Sequence, residues 1–301
     1  MSPLEFASGL ALRYLKRERV EALRDAYFGL RTRLEPALRW VHGSFDSAAL
    51  RAHLEERVGN EFEILMVHSS VNHMKPMFTD GPLELVRMLI DFCGPTRTLA
   101  MPAFYFGEGG EGAYASFVRN PRFDLRRMPS QMGLATELFR RMPGVRWSRH
   151  PVYRISALGP LAEELTRGHE HASSPAGRGS PFETMTRLDT CIIGLGKEVQ
   201  VLTQAHHTEE LMGDEFPVPS RAGTPLSMTL VDRDGEIPFE LRARSVDGRF
   251  DIWKVRKLMT PDSLREWHFH HVPLFATRAA SVTQQLVAAA RRGQTLYDPL
   301  S

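Results

Sequence analysis

The run Glu63-Ile64-Leu65-Met66-Val67-His68-Ser69-Ser70-Val71 does most to restrict what this chain can fold into. Its apolar residues are consecutive rather than alternating, the pattern of a strand buried on both faces. Gly81-Pro82 opens a helix from Leu83 to Phe92, which Cys93-Gly94-Pro95 closes. Thr98-Leu99-Ala100-Met101-Pro102-Ala103-Phe104 reads as the next strand. Strand, helix and strand at this spacing predict a βαβ unit, a parallel pair with a right-handed crossover, in a sheet covered on both sides.

What surrounds that unit is read from periodicity. Residues 1 to about 42 carry Leu12, Leu15, Val20, Leu23, Tyr27, Leu30, Leu34 and Leu38 at helical intervals, with Pro36 at the last turn. Eight Lys/Arg against four Asp/Glu between Arg13 and Arg39 make this arm basic, with one face on the domain and one in water. Asp46 or Ser47 caps a helix through Leu50, Leu54 and Val58. A strand-like run covers Thr190 to Leu195 and then Val199 to Leu202. Alternation through Leu226, Met228 and Leu230, a turn at Asp234-Gly235 and Ile237, Phe239 and Leu241 predict a hairpin. The tail from Asp262 to Arg292 reads as mostly helical, with Val282, Leu286 and Val287 inward.

Composition excludes several classes. The formal net charge is only +2, so no global basic field points to nucleic acid. Cys93 and Cys191 lie far apart without zinc-site spacing, which predicts inert core thiols in a reduced, cytoplasmic protein. No apolar run approaches a membrane span and the N-terminus lacks the order of a signal peptide, so neither a span nor export is expected.

Chemistry concentrates in Thr203-Gln204-Ala205-His206-His207-Thr208-Glu209-Glu210-Leu211-Met212. On a helix, residues three apart share a face, so His206 projects with Glu209 and His207 with Glu210. Composition alone favours reading the same residues as a solvated, charged helix start, and a metal-dependent hydrolase using His206, His207, Glu209 and Glu210 as ligands is an alternative. His68-Ser69-Ser70 ends a buried strand, where α/β sheets place ligands. His150 precedes Pro151, which restricts its backbone, and Ser180-Pro181 and Gly194-Leu195-Gly196 mark tight turns. His268, His270 and His271 lack the carboxylate or cysteine that a zinc site wants, so no metal site is expected.

Taken in order, Val67-His68-Ser69-Ser70, Leu99 to Phe104, Phe123-Asp124, Ser148-Arg149-His150-Pro151, Ala157-Leu158-Gly159, Ser180-Pro181 and His206-x-x-Glu209 resemble the aminoglycoside 3-N-acetyltransferase family. The resemblance covers Glu61 to Pro217 and leaves the first fifty residues unexplained. It implies an α/β fold, a central mixed sheet flanked by helices, here with an extra N-terminal helical arm (1–58) before an acetyltransferase domain (59–301) that ends in a hairpin-plus-helix region. It implies acetyl-CoA as cosubstrate, held near His68, Ser69, Ser70, Val71 and Ser180. His206 and Glu209 match the family's acid/base pair, and His150 is the second candidate base. Transfer is expected to be direct, to a small-molecule amine acceptor with an amino sugar favoured over a polycationic drug. No nucleic-acid partner and no membrane-surface attachment are expected, and the arm is a candidate homodimer contact. A non-catalytic assembly protein recruited by the arm is the remaining alternative.

Overall fold

The computed structural model describes residues 23, 26, 27 and 29–298, apart from 109–111, 173 and 243. The helical periodicity assigned to Leu12, Leu15 and Val20 therefore lies outside the described residues. Seven strands make the central sheet: β1 Ile64–Ser69, β2 Thr98–Pro102, β3 Arg146–Trp147, β4 Ile155–Leu158, β5 Thr190–Leu195, β6 Leu264–Phe269 and β7 Val272–Arg278. Their order is β6-β7-β5-β1-β2-β4-β3. β1 runs parallel to β2 and β5, and the outer strands pair antiparallel, so the sheet is mixed.

The consecutive apolar run of β1 is accounted for by its place in the middle. Every residue of β1 and β5 is buried. Leu65, Val67, Leu99 and Met101 face one core, which also takes Leu50, Leu54, Leu85 and Phe139 from helices Ser47–Arg57, Pro82–Cys93 and Leu134–Arg140. Ile64, Met66, Ala100 and Ile192 face the other, with Phe182, Ala205 and Leu286 from helices Pro181–Arg187, Ala205–Met212 and Ala279–Ala290. A slip of one residue in β1 would exchange these two sets, so the register is fixed from both sides.

Asp46 caps the Ser47–Arg57 helix by accepting from the Ala49 amide at 2.8 Å. Phe45, Leu50, Leu54 and Val58 then join the core, which thus begins inside the stretch read as an arm. Ahead of them, helix Glu35–His42 buries no residue fully and is tied down at its edges. Arg39 donates to the Pro76 carbonyl at 2.9 Å and His270 bonds the His42 carbonyl at 2.7 Å.

Two sequence readings are corrected. The tail from Asp262 is not mostly helical: β6 and β7 form a hairpin turning at His270 and His271, both at positive φ, and the helix spans only Ala279–Ala290. β7 is enclosed between β6 and β5, so Leu274, Phe275 and Ala276 are all buried. Such an apolar run has no strand period to distinguish it from a helix. Val199–Val201 is a single 3-10 turn, not a strand, because Gly196 at φ 65° turns the chain after β5. A Cβ on Gly196 would stand 2.7 Å from the Ser70 carbonyl, so the glycine lets this turn lie against the end of β1.

The expected hairpin forms as Leu226–Asp232 and Gly235–Leu241, with Arg122–Asp124 added in parallel to its first strand. This small sheet has its own core of Phe117, Phe123, Met228 and Leu230. Arg154, fully buried, fastens its approach to the main sheet by donating to the carbonyls of Ala103, Leu125 and Met128.

Candidate active site

The Ala205–Met212 helix follows the end of β5, and its first turn presents the predicted pair. His206 Nδ1 stands 2.8 Å from Glu209 Oε1. A carboxylate only accepts, so the imidazole proton sits on Nδ1 and the Nε2 lone pair is left for another partner. The His206 side chain keeps 27% of its exposure against 12% for Glu209, so the base is reachable and its carboxylate is shielded.

Aromatic rings wall this pair. Phe250 stacks on His206 at 4.7 Å between centroids, and Tyr153 lies 6.3 Å away on another side. Tyr297 packs on Phe250 at 5.2 Å and lines a small cavity together with Glu209. Burial, then the charges of Glu209 and Glu210, push the Tyr153 phenol up to about 12. Burial and the adjacent Glu209 push Tyr297 up as well. Both hydroxyls therefore stay protonated near neutral pH. Sequence spacing carries no signal for Tyr153, Phe250 or Tyr297, because they arrive from three separate segments.

The other predicted residues divide by what already engages them. His207 is buried with Nδ1 donating to the Ala176 carbonyl at 2.6 Å, and burial lowers its pKa. It clamps the loop leading to Ser180 instead of joining His206. The four residues suggested as metal ligands thus split apart, and the described residues contain no group of three His, Cys, Asp or Glu arranged to hold a metal. Ser180 donates its hydroxyl to the Gly177 carbonyl at 2.6 Å, within its own turn. Ser70 is occupied at every polar atom: its amide donates to Leu195, its carbonyl accepts from His73 and Met74, and its hydroxyl pairs with His73 Nδ1 at 2.8 Å. Val71 opens the short Val71–Met74 helix and packs on the core. Ser69 Oγ is different, being buried without a hydrogen-bond partner. His68 lies one residue before it, on the face of β1 that carries Ile64 and Met66 and so toward the Ala205–Met212 helix.

His150, the second candidate base, is committed to the backbone. Its Nδ1 accepts from the amides of Val152 and Tyr153, both at 3.1 Å, and its ring stacks on His169 at 4.5 Å. With Nδ1 accepting and Nε2 protonated, the neutral ring has no lone pair for an amine proton. Its evident effect is to fix the turn that aims Tyr153. Behind it, His169 accepts at Nδ1 from Ser148 Oγ at 2.8 Å and donates from Nε2 to the Pro175 carbonyl at 3.0 Å.

These buried histidines make stability acid-sensitive. Burial holds His68 and His169 down at about 4, and burial and then His169 keep His150 well below its usual value. Free histidine titrates near ~6.5. Folded values below the unfolded one mean that the unfolded chain takes up the protons, so the stability is complete above about pH 6.5 and is lost as pH falls toward 4. Thermal melts from neutral to mildly acidic buffer should fall accordingly, by at most about 1.4 kcal/mol per pH unit for each histidine. A melting temperature that stays flat across this range would show that these rings take up protons as readily in the folded protein as in the unfolded chain.

Comparison with known proteins gives the family and the fold. The model of the aminoglycoside 3-N-acetyltransferase family matches residues 66–290. Aminoglycoside N(3)-acetyltransferase III of Acinetobacter baumannii is 28% identical over 191 residues, 59% of this chain and 63% of that protein. The chain thus matches less than two thirds of that relative's length. Among solved structures, the AAC-IIIb binary complex with CoASH superposes with a TM-score of 0.68 at 22% identity, covering 85% of this chain and 99% of that one. AAC-VIa bound to sisomicin gives a TM-score of 0.67 at 20% identity, covering 83% of this chain and 99% of that one. At these identities the two structures establish the shared fold.

Proposed function

The chain belongs to the aminoglycoside 3-N-acetyltransferase family, and from that premise we propose that it transfers the acetyl group of acetyl-CoA to the amine of a sugar acceptor. The observation that carries the reading is the His206–Glu209 pair, with Nε2 of His206 free on the open side of an aromatic-walled site. An amine reaches the site as an ammonium ion and attacks a thioester only after losing a proton. His206 Nε2 takes that proton, and Glu209 fixes the tautomer and stabilises the imidazolium that results. The amine nitrogen then bonds to the acetyl carbon, the carbon–sulfur bond breaks as the imidazolium returns its proton to the departing thiolate, and the new amide nitrogen gives up its remaining extra proton to solvent by way of the regenerated His206.

Direct transfer suits the available nucleophiles. Burial pushes Cys93 up to about 12 and Cys191 up to about 11, which leaves neither thiol ionised near neutrality. For acetyl-CoA, the fitting place is the end of β1, where His68 lies on the face toward the Ala205–Met212 helix. His68, Ser70, Val71 and Ser180 shape the backbone around that position. The CoASH bound to AAC-IIIb, a protein of the same fold, supports this choice of cosubstrate.

Sisomicin, bound by AAC-VIa, supports an amine-bearing acceptor. For this chain an amino sugar is the favoured acceptor. Glu209, Glu210, Asp214 and Glu215 give moderate acidity, short of what a polycation needs, while Phe250 and Tyr153 offer flat faces for a sugar ring. The test is thiol release from acetyl-CoA against a panel of amino sugars and aminoglycosides. Release with an amino sugar is expected; release only with the drugs would reassign the acceptor. Absence of release with every amine, together with no thermal shift on adding acetyl-CoA, would sink the reading in favour of a non-catalytic assembly protein.

A further inference from the structure

We propose that Arg31 and Arg39 are positioning residues for acetyl-CoA, acting through residues 71–77, the segment that leaves the end of β1. The role rests on the acetyl-transfer reading, which puts the cosubstrate at that strand end. Both arginines precede residues 66–290, the part of the chain that matches the family.

Each carbonyl of residues 73–77 has a partner, and four of the five are held from residues 31–45. Arg31 Nη2 donates to the Lys75 carbonyl and, more weakly at 3.5 Å, to that of His73. Arg39 Nε donates to Pro76 at 2.9 Å, and the Phe45 amide donates to Met77 at 2.9 Å. Only Met74 is served locally, by the Phe78 amide at 3.1 Å. The four-residue helix Val71–Met74 cannot satisfy its own last carbonyls or those that follow it. Carbonyls without partners are costly away from water, so the two guanidinium groups decide where this segment can sit.

Each guanidinium is in turn aimed from its own helix. Arg31 Nη1 donates to the Tyr27 hydroxyl at 2.9 Å, and Arg39 Nη2 pairs with Glu35 at 2.7 Å, both partners four residues earlier. Helix Glu35–His42 buries no residue fully, with Leu38 only partly buried against the core. Its attachment to the segment is therefore chiefly polar.

The other end of the segment is fixed from within the sheet. Ser70 donates its amide to the Leu195 carbonyl at 2.9 Å, and Met74 lies so close to Gly196 that a Cβ there would stand 2.7 Å from its side chain. Held at both ends, residues 71–77 keep one conformation before acetyl-CoA arrives. Without the arginines the far end is loose, and apparent affinity falls by the fraction of time the segment holds its bound shape.

The test is Arg31→Ala combined with Arg39→Ala in the full chain, with Arg33→Ala, at an exposed position of the same arm, as the control. Calorimetric titration should show acetyl-CoA binding weakened about tenfold in the double variant, the equivalent of one hydrogen bond to a charged group, and unaltered in the control. The KM for acetyl-CoA should rise with it while kcat at saturation holds. Hydrogen exchange should quicken at the amides of residues 71–77 and not in β5. Should the double variant fail to fold, the two single variants carry the same comparison. Unchanged affinity, or a loss of kcat with the KM unaltered, overturns the proposal. If the parent protein binds no acetyl-CoA, the acetyl-transfer reading fails and this role with it, whereas equal binding by parent and variants strikes only the arginines.

Discussion

His206→Ala is expected to reduce acetyl transfer by about 10²- to 10⁴-fold, the usual weight of a positioned general base, while acetyl-CoA binding persists. The change removes the group that takes the ammonium proton and leaves Ser69, at the end of β1, untouched. Unfolding is not the anticipated cause of the loss, because alanine is the better helix former and His206 is partly exposed. Phe250 loses its stacking partner, so some rearrangement of the acceptor wall accompanies the loss. The measurements are kcat and KM on the acceptor found in the panel, with a thermal shift by acetyl-CoA as the binding control. Turnover that survives would move the base off this helix. His150 is a poor heir, since two backbone amides hold its accepting nitrogen.

Arg154→Met is expected to be the most damaging single change away from the base. The guanidinium is fully buried and is the donor to three carbonyls, Ala103, Leu125 and Met128, on two segments that meet beside the sheet. Methionine fills much of the volume but donates nothing, so these carbonyls lose their partner. Each buried polar group left unpaired costs about 1–3 kcal/mol. The loss is partly offset, because burial and the nearby Arg140 already depress Arg154 to about 9, a sign that the charge is poorly solvated. Three lost donors outweigh that relief, and a net loss of roughly 3–5 kcal/mol follows. At about 2–4 °C per kcal/mol, the melting temperature should drop by on the order of 10 °C. Urea or thermal unfolding checks it; a variant as stable as the parent would mean that water takes over the carbonyls. Because Tyr153 adjoins Arg154 and Phe104 packs on Tyr153 at 4.9 Å, activity should fall with stability.

The sequence was most legible where the determining interactions are short in range. The βαβ unit from Glu63 to Phe104 could be read because its helix signals and its apolar strands are each set within a dozen residues. The His206–Glu209 contact could be read for the same reason, since helix geometry alone brings residues three apart together. Elsewhere the same reasoning misled. β7 passed for helix because a strand enclosed between two neighbours shows an unbroken apolar run, and only its pairing with β5 and β6 makes it a strand. What engages His207 and His150 could not be read, since their bonds to Ala176 and to the Val152 and Tyr153 amides depend on loops that local pattern does not place.

By itself, then, the sequence determined the parallel core of the sheet, the family motifs and an acid/base pair on one helix turn. Which histidine of four keeps a free lone pair was decided by tertiary structure, as was the delivery of Tyr297 and Phe250 to it. The reason is physical: helix and strand periods fix which side chains share a face, but the hydrogen bonds that occupy or free an imidazole nitrogen come from segments distant in the chain. Phe250 reaches His206 from a short strand that pairs with Tyr297–Asp298, a segment far along the chain.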